Sequence, residues 1–161
     1  MADYPESWFS TLGEPLGEGE QADIAAYLHG LGITTALPTL LVGSWSQASA
    51  LSHKPADAWW NAEEAERARL EKIAKLDPAD RGWLASTDAL HGAAAVAAAR
   101  GACADPGLIK AAAGAATYAL YQFRLARAAG VGESHPFVRK YALFCGGRWP
   151  LGVYGDRFAI Y

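Results

Sequence analysis

The sequence predicts a mainly α-helical single domain that ends in a short β-hairpin. Two observations predict the helices: long alanine-rich stretches, and Asp-Pro or His-Pro pairs placed where helices begin. A third predicts the hairpin, because the chain closes on the glycine-punctuated aromatic segment GGRWPLGVYGDRFAIY. With 161 residues, 52% hydrophobic and 19% charged, the chain has globular composition and enough length for one core. We therefore expect a bundle of five or six helices that spans 1–161 as one domain.

The N-terminal third predicts an irregular arm followed by one helix. Residues 1–18 are acidic and interrupted by prolines and glycines, so we expect a loosely ordered arm. The next segment, GEQADIAAYLHGLG, spaces its apolar residues for one helical face. Residues 33–42, ITTALPTLLV, are compatible with a short strand, and the Ser/Ala-rich stretch after them favours short helical pieces.

The segment KPADAWWNAEEAERARLEKIAKL predicts the clearest helix. Charged residues four apart predict a ladder on its solvent side, and apolar residues pave the opposite side. Adjacent Trp59 and Trp60 point about 100° apart on a helix, so we do not expect them to be equally buried. Either one is exposed as an interface anchor, or one is core and the other lies under the N-terminal arm. The ladder consists of Glu63, Arg67, Glu71 and Lys75, and the buried side of Ala62, Ala65, Leu70, Ile73 and Leu76.

Two further helices are expected to form a hairpin. Asp77-Pro78 and Asp105-Pro106 each supply an N-cap and a first-turn proline. Alanine and glycine on the facing surfaces would let the two helix axes approach closely. A last helix is expected with Ser134 or His135 as N-cap and Pro136 in its first turn. Gly-Asp between two β-forming runs predicts the hairpin tail over 148–161. A lone hairpin is marginal, so it must pack on the helices or pair with a strand from 33–42.

The net charge of −3 conceals a strong asymmetry. The first 53 residues contain no Lys or Arg, whereas basic residues dominate from Leu120 onward. Either the acidic head folds back on the basic tail, or it attracts a basic partner by electrostatic steering. The acidic residues concerned, our candidate protein-binding residues, are Asp3, Glu6, Glu14, Glu18, Glu20 and Asp23.

No established catalytic motif is present. The chain contains no GxGxxG, GxxxxGK[ST], GxSxG or HExxH pattern. Asp88 and His91 would share a helix face, an arrangement that orients an imidazole in many active sites. They define a possible pocket with Tyr118 and Tyr121, between the alanine-rich hairpin and the aromatic tail. The alternative is a buried histidine whose hydrogen bonds are satisfied within the fold.

Several other classes are disfavoured by composition. The four histidines lack metal-ligand spacing, so we expect no metal and no cofactor. A sequence pI near 5.8 argues against nucleic-acid binding. The longest apolar run, AAAGAATYALY, is too short to span a bilayer. Cys103 and Cys145 are expected to be free thiols, and the protein is expected to be cytoplasmic with no membrane partner.

The tail GGRWPLGVYGDRFAIY resembles the WPLG-containing endings of some bacterial toxin-immunity proteins. The resemblance covers about a tenth of the chain, and small size with an acidic head agrees with it. It implies a non-enzymatic inhibitor that neutralises a cognate toxin, for which the acidic residues suggest a basic protein. Two alternatives stay open: a small helical enzyme or ligand-binding protein that uses Asp88 and His91, and a structural subunit whose Ala/Gly faces or strand edge form a homodimer.

Overall fold

The computed structural model describes residues 6–51 and 55–161, with residues 83–88 described by their backbone alone. Within these ranges it is mainly helical with a C-terminal β-hairpin, as the sequence predicts. The helices are α1 (Glu18–Gly30), α2 (Trp45–Leu51), α3 (Asp57–Ala74), α4 (Pro78–Ala102), α5 (Pro106–Ala128) and α6 (Pro136–Cys145). The strands are β1 (Thr39–Leu41), β2 (Pro150–Tyr154) and β3 (Arg157–Ile160).

The predicted helix starts are confirmed. The Asp77 carboxylate accepts from the Asp80 backbone N–H at 2.8 Å, and Asp105 accepts from the Leu108 N–H at 3.0 Å. These bonds satisfy N–H groups that have no partner inside the helix. At α6 the imidazole Nδ1 of His135 accepts from the Phe137 N–H in the same way. Local sequence therefore determines where these three helices begin.

Helix α5 is the centre of the bundle and packs against α3, α4 and α6. Its contact with α4 uses alanines, as predicted, and four of them are fully buried. The small side chains leave room for close packing of the two helices. These alanines are Ala95 and Ala99 of α4 with Ala112 and Ala116 of α5.

The hairpin tail is completed by the strand from the 33–42 region. The sheet order is β1-β3-β2, with β1 parallel and β2 antiparallel to the central β3. Trp149 and Tyr161 extend the hairpin by exchanging two backbone hydrogen bonds, at 2.6 and 2.9 Å. The side chains of Phe158 and Ile160 are fully buried. The tail is thus part of a packed three-stranded layer. The third strand and the burial of its side chains supply the stability that an isolated hairpin lacks.

The solvent-exposed face predicted for α3 is partly wrong. Glu63 is fully buried, whereas Ile73 is 46% exposed and Ala65 is also exposed. The helix is turned so that Trp59, Glu63 and Leu70 face inward. Burial of the Glu63 carboxylate is tolerated because Lys140 of α6 neutralises it at 2.6 Å. Of the predicted ladder, the Arg67–Glu71 pair forms, also at 2.6 Å.

Candidate protein-binding surface

Arg148, the arginine of the GGRW segment, is the anchor of the acidic N-terminal region. Its side chain is almost fully buried and uses all five N–H donors. Nε and Nη2 donate to the two carboxylate oxygens of Glu20, at 2.6 and 3.2 Å. Nη1 donates to the carbonyls of Thr11 and Glu14, and Nη2 also donates to that of Pro15 at 2.8 Å. One side chain therefore ties α1 and the preceding loop to the C-terminal tail.

The described part of the arm is held firmly, which corrects the expectation of a loosely ordered segment. Trp8 and Phe9 are 3% and 5% exposed, and the Phe9 ring meets that of Phe144 edge-on at 6.5 Å. The Ser7 hydroxyl donates to the carbonyl of Cys145. Thr11 adds two hydrogen bonds to the same tail segment. The burial of two large aromatic side chains outweighs the turn-forming residues around them.

Gly147 makes this close approach of the two chain segments feasible. Its φ of +89° lies in the region that favours glycine. A Cβ there would meet the Ser10 hydroxyl at 2.6 Å and the Thr11 backbone nitrogen at 2.9 Å. The glycine, the arginine and the acidic arm thus form one structural unit, which we call the Arg148 clasp (residues 7–20 and 145–148).

The clasp divides the six candidate acidic residues into two groups. Glu20 is bound to Arg148, and Asp23 pairs with Arg139 at 2.9 Å. The hydrogen bond from Arg148 is the main cause that lowers the pKa of Glu20, and a bond from the Gly17 N–H assists it. Glu6, Glu14 and Glu18 are exposed, and their carboxylates form no ion pair within the described residues. Asp3 lies outside the described residues.

The fold-back interpretation of the charge asymmetry applies to two of these acids, and the attraction of a basic partner stays a prediction for the exposed ones. Glu20 and Asp23 hold the acidic head on the basic tail. Glu14 and Glu18 face solvent on the clasp, and Glu6 is exposed one residue before it. A cationic partner could meet them without ordering the loop first, which removes one entropic cost of binding.

The Asp88–His91 pair is only half described. His91 is 5% exposed on α4, and its Nε2 lies 2.5 Å from an Nη2 of Arg124. Burial and, second, the positive charge of Arg124 lower the pKa of His91, which favours a neutral imidazole. Asp88 belongs to α4, but its side chain lies outside the described residues. Of the pocket residues proposed with them, Tyr118 lines both cavities described below, Tyr121 lines one, and His91 lines neither.

The two adjacent tryptophans are unequally buried, as predicted, and of the two alternatives the structure shows the exposed ring. Trp59 is 6% exposed and Trp60 is 46% exposed. Trp60 stacks on Tyr118, with ring centroids 6.4 Å apart. Both line a cavity of about 360 Å³ between α3, α5 and the tail, where Trp149 and Tyr154 complete the wall. An exposed tryptophan on an aromatic cavity is typical of an interface anchor.

A buried polar cluster beneath this cavity was not predicted from the sequence. The Lys140 ammonium donates to both carboxylate oxygens of Glu63 and to the Gln122 carbonyl oxygen at 3.0 Å. The Tyr27 hydroxyl donates to Glu63 at 2.5 Å and accepts from the Trp59 indole N–H at 2.7 Å. Burial, followed by the Glu63 charge, raises the pKa of Tyr27 well above its ordinary value. The cluster links α1, α3, α5 and α6.

In this cluster the buried charges and hydroxyl group have partners. The Glu63 charge is matched by Lys140, and the Tyr27 hydroxyl is kept protonated. Tyr118 donates to Glu64 at 2.5 Å, and burial raises its pKa as well. No local pattern could have revealed the pair, since Glu63 and Lys140 lie 77 residues apart.

The described side chains form neither a metal-binding cluster nor a disulfide. Among the side chains that the structure describes, those of residues 6–51, 55–82 and 89–161, no group of three or more His, Cys, Asp or Glu is placed to hold a metal ion. Cys103 and Cys145 are free thiols, as predicted, and burial raises the pKa of Cys145. Within the same ranges, no helix has the length and apolarity needed to cross a membrane.

No protein-family model, curated protein or solved structure matches this chain.

Proposed function

We propose that this chain is a non-enzymatic protein-binding protein of the immunity or antitoxin type, which neutralises a cognate toxin by direct binding. The observation that supports this most strongly is the Arg148 clasp. It holds the acidic head against the buried GGRWPLG tail, and these are the two sequence features on which the resemblance rests.

Electrostatics favours a basic partner. Glu6, Glu14 and Glu18 present negative charge on a surface whose backbone is fixed by buried aromatic rings and by Arg148. A fixed field of one sign accelerates the encounter with an oppositely charged protein. Trp60 provides a second candidate contact, because an exposed indole ring is a frequent anchor of binding energy.

The shifted pKa values of the described tyrosines, of Cys145 and of two glutamates move these groups away from acid-base chemistry. General acids and bases work best with a pKa near the operating pH. The tyrosines and the thiol Cys145 have pKa values shifted upward, away from that range. The carboxylates Glu64 and Glu66 have pKa values shifted downward, because Tyr118 and Arg69 respectively donate hydrogen bonds to them.

The test changes only the exposed acids of the arm and leaves the two that form ion pairs unchanged. Glu6, Glu14 and Glu18 are each changed to Lys in one variant, while Glu20 and Asp23 stay intact. In a matched control, three exposed acids elsewhere are changed to Lys, so that the net charge changes by the same amount. These acids are Asp57, Asp80 and Asp156. An immunity gene lies beside its toxin gene, so the product of the adjacent gene is the first partner to test.

Each variant is co-expressed with that partner, growth is scored, and association is measured at low and high salt. We expect wild type and the control to protect cells and to form a stoichiometric complex. The arm variant should lose protection, and its association rate should no longer fall steeply with salt. Equal protection of cells by both variants would overturn the proposal that the exposed acids of the arm bind the toxin. Failure of wild type to bind the toxic product of the adjacent gene would overturn the immunity function itself.

A further inference from the structure

A second cavity, larger than the aromatic one, runs along the α4–α5 hairpin. Its volume is about 900 Å³. Val96 of α4 and Ile109, Ala113 and Gly114 of α5 form an apolar floor and wall. Gly114 is exposed, and a Cβ placed on it would touch nothing within 4 Å. The groove is therefore open space next to apolar side chains.

The two ends of this groove differ in chemistry. At the hairpin turn, where α4 ends and α5 begins, Arg100 and Lys110 line it. Both are exposed, and neither forms an ion pair within the described residues. At the far end the rings of Tyr118 and Tyr121 line it, with their hydroxyls turned to Glu64 and Glu71 of α3. Among the described residues, no acidic side chain lines the groove. The groove thus offers a cationic end, an apolar middle and an aromatic end.

We propose that this groove binds an anionic amphiphile, a single acyl chain whose carboxylate lies between Arg100 and Lys110 and whose tail extends to Tyr118 and Tyr121. Charge complementarity sets the orientation, because the two cations lie at one end only. From residue 110 to residue 121 a helix rises about 16 Å. An extended chain advances roughly 1.2 Å per bond, so about thirteen bonds, or a chain of up to about fourteen carbons, match this length.

The volume of the groove, about 900 Å³, lies within the range of small-molecule sites. This inference is independent of the proposed toxin binding, since it uses neither the Arg148 clasp nor the exposed acids of the arm.

Calorimetric titration with three probes below their micellar concentrations tests the ligand class. We expect dodecanoate to bind with one-to-one stoichiometry. Octanoate should bind more weakly, by about fourfold for each methylene removed. Dodecyltrimethylammonium has the same chain with the opposite charge and should bind at least tenfold more weakly than dodecanoate. Equal binding of the two dodecyl probes would overturn the role of the cationic end.

Variants then locate the site. Gly114→Leu fills the groove and should abolish dodecanoate binding. Gly101→Leu is the matched control, because Gly101 is also an exposed helical glycine with open space around it but does not line the groove. The double variant Arg100→Gln/Lys110→Gln should weaken binding about threefold to tenfold, the range expected for two exposed ion pairs.

Far-UV circular dichroism of each variant establishes that it is folded before titration. Absence of one-to-one dodecanoate binding to the folded wild type would overturn the proposal. So would equal loss in Gly114→Leu and Gly101→Leu, because the amphiphile would then act elsewhere. Neither result bears on toxin neutralisation, which is measured by growth and complex formation.

Discussion

Substitution of Arg148 gives the sharpest test of how the fold is held together. Arg148→Met removes the guanidinium but keeps an unbranched apolar side chain. Glu20 and the three backbone carbonyls then lose five hydrogen bonds at once. Removal of one partner from a buried ion pair costs about 3–5 kcal/mol. The Glu20 side chain is 24% exposed and can regain water, so we expect the lower end, about 3 kcal/mol.

A graded series makes this expectation specific. Arg148→Lys keeps the charge but supplies at most three donors, so it should cost about 1–2 kcal/mol. Glu20→Gln leaves the three carbonyl contacts in place and should cost about 1 kcal/mol, because its side chain is partly solvated. Arg157→Met is the control: that side chain is 58% exposed and lies 3.9 Å from Asp156, so the change should stay within about 0.5 kcal/mol.

Urea unfolding followed by circular dichroism at pH 7 measures the series. With a slope of roughly 1–3 kcal/mol per molar urea, a 3 kcal/mol loss moves the midpoint by about 1–3 M. The reasoning would be refuted if Arg148→Met cost under 1 kcal/mol. It would also be refuted if Arg148→Lys were as damaging as Arg148→Met, since the number of donors would then be irrelevant.

Three further predictions concern buried charge, backbone conformation and pH. Lys140→Met should destabilise the fold by about 3–5 kcal/mol in urea unfolding. Adding Glu63→Gln should restore at least about 1 kcal/mol, because it removes the buried charge that has lost its partner. If the losses of stability of the two single variants simply added in the double variant, this prediction would be contradicted. Gly147→Ala should destabilise the fold by about 2 kcal/mol more than Gly155→Ala. Both glycines have positive φ (+89° and +60°), but only a Cβ at Gly147 would clash with the arm. Equal losses of stability in thermal unfolding would contradict the clasp geometry. Glu20 has its pKa depressed below the ordinary value of 4.5, so its contribution is present above that pH and is lost as pH falls through the folded-state pKa. The stability difference between wild type and Glu20→Gln should therefore vanish in acid, and a difference that persists at pH 2 would show that the carboxylate charge is not its cause.

Features encoded over a few residues were predictable from the sequence. The Asp-Pro and His-Pro helix starts, the Gly-Asp hairpin turn and the alanine contact of α4 with α5 all depend on neighbouring residues or on one helix face. The unequal burial of Trp59 and Trp60 follows from helix geometry, although the geometry does not show which ring is exposed. These are the elements that the structure confirms.

Features that depend on distant partners were not predictable. The exposed face assigned to Glu63 was wrong because its partner Lys140 is supplied by another helix. The sequence predicted a loosely ordered arm because its anchor, Arg148, is more than 120 residues away along the chain. Composition shows that the acidic head and basic tail can attract one another, but the choice of pairs depends on the tertiary arrangement.

The division of the acidic head has a consequence for every test of its function. A variant that alters Glu20 or Asp23 breaks ion pairs with Arg148 or Arg139, so any loss of binding would be mixed with a loss of structure. Glu6, Glu14 and Glu18 lie in the same part of the chain, yet their carboxylates are exposed. Loss of partner binding with unchanged stability in Glu6/Glu14/Glu18→Lys is therefore the only pattern that separates a recognition surface from a structural one. The same separation explains why one segment can be both acidic and rigid, since the arginine that neutralises one carboxylate also fixes the backbone that presents the others.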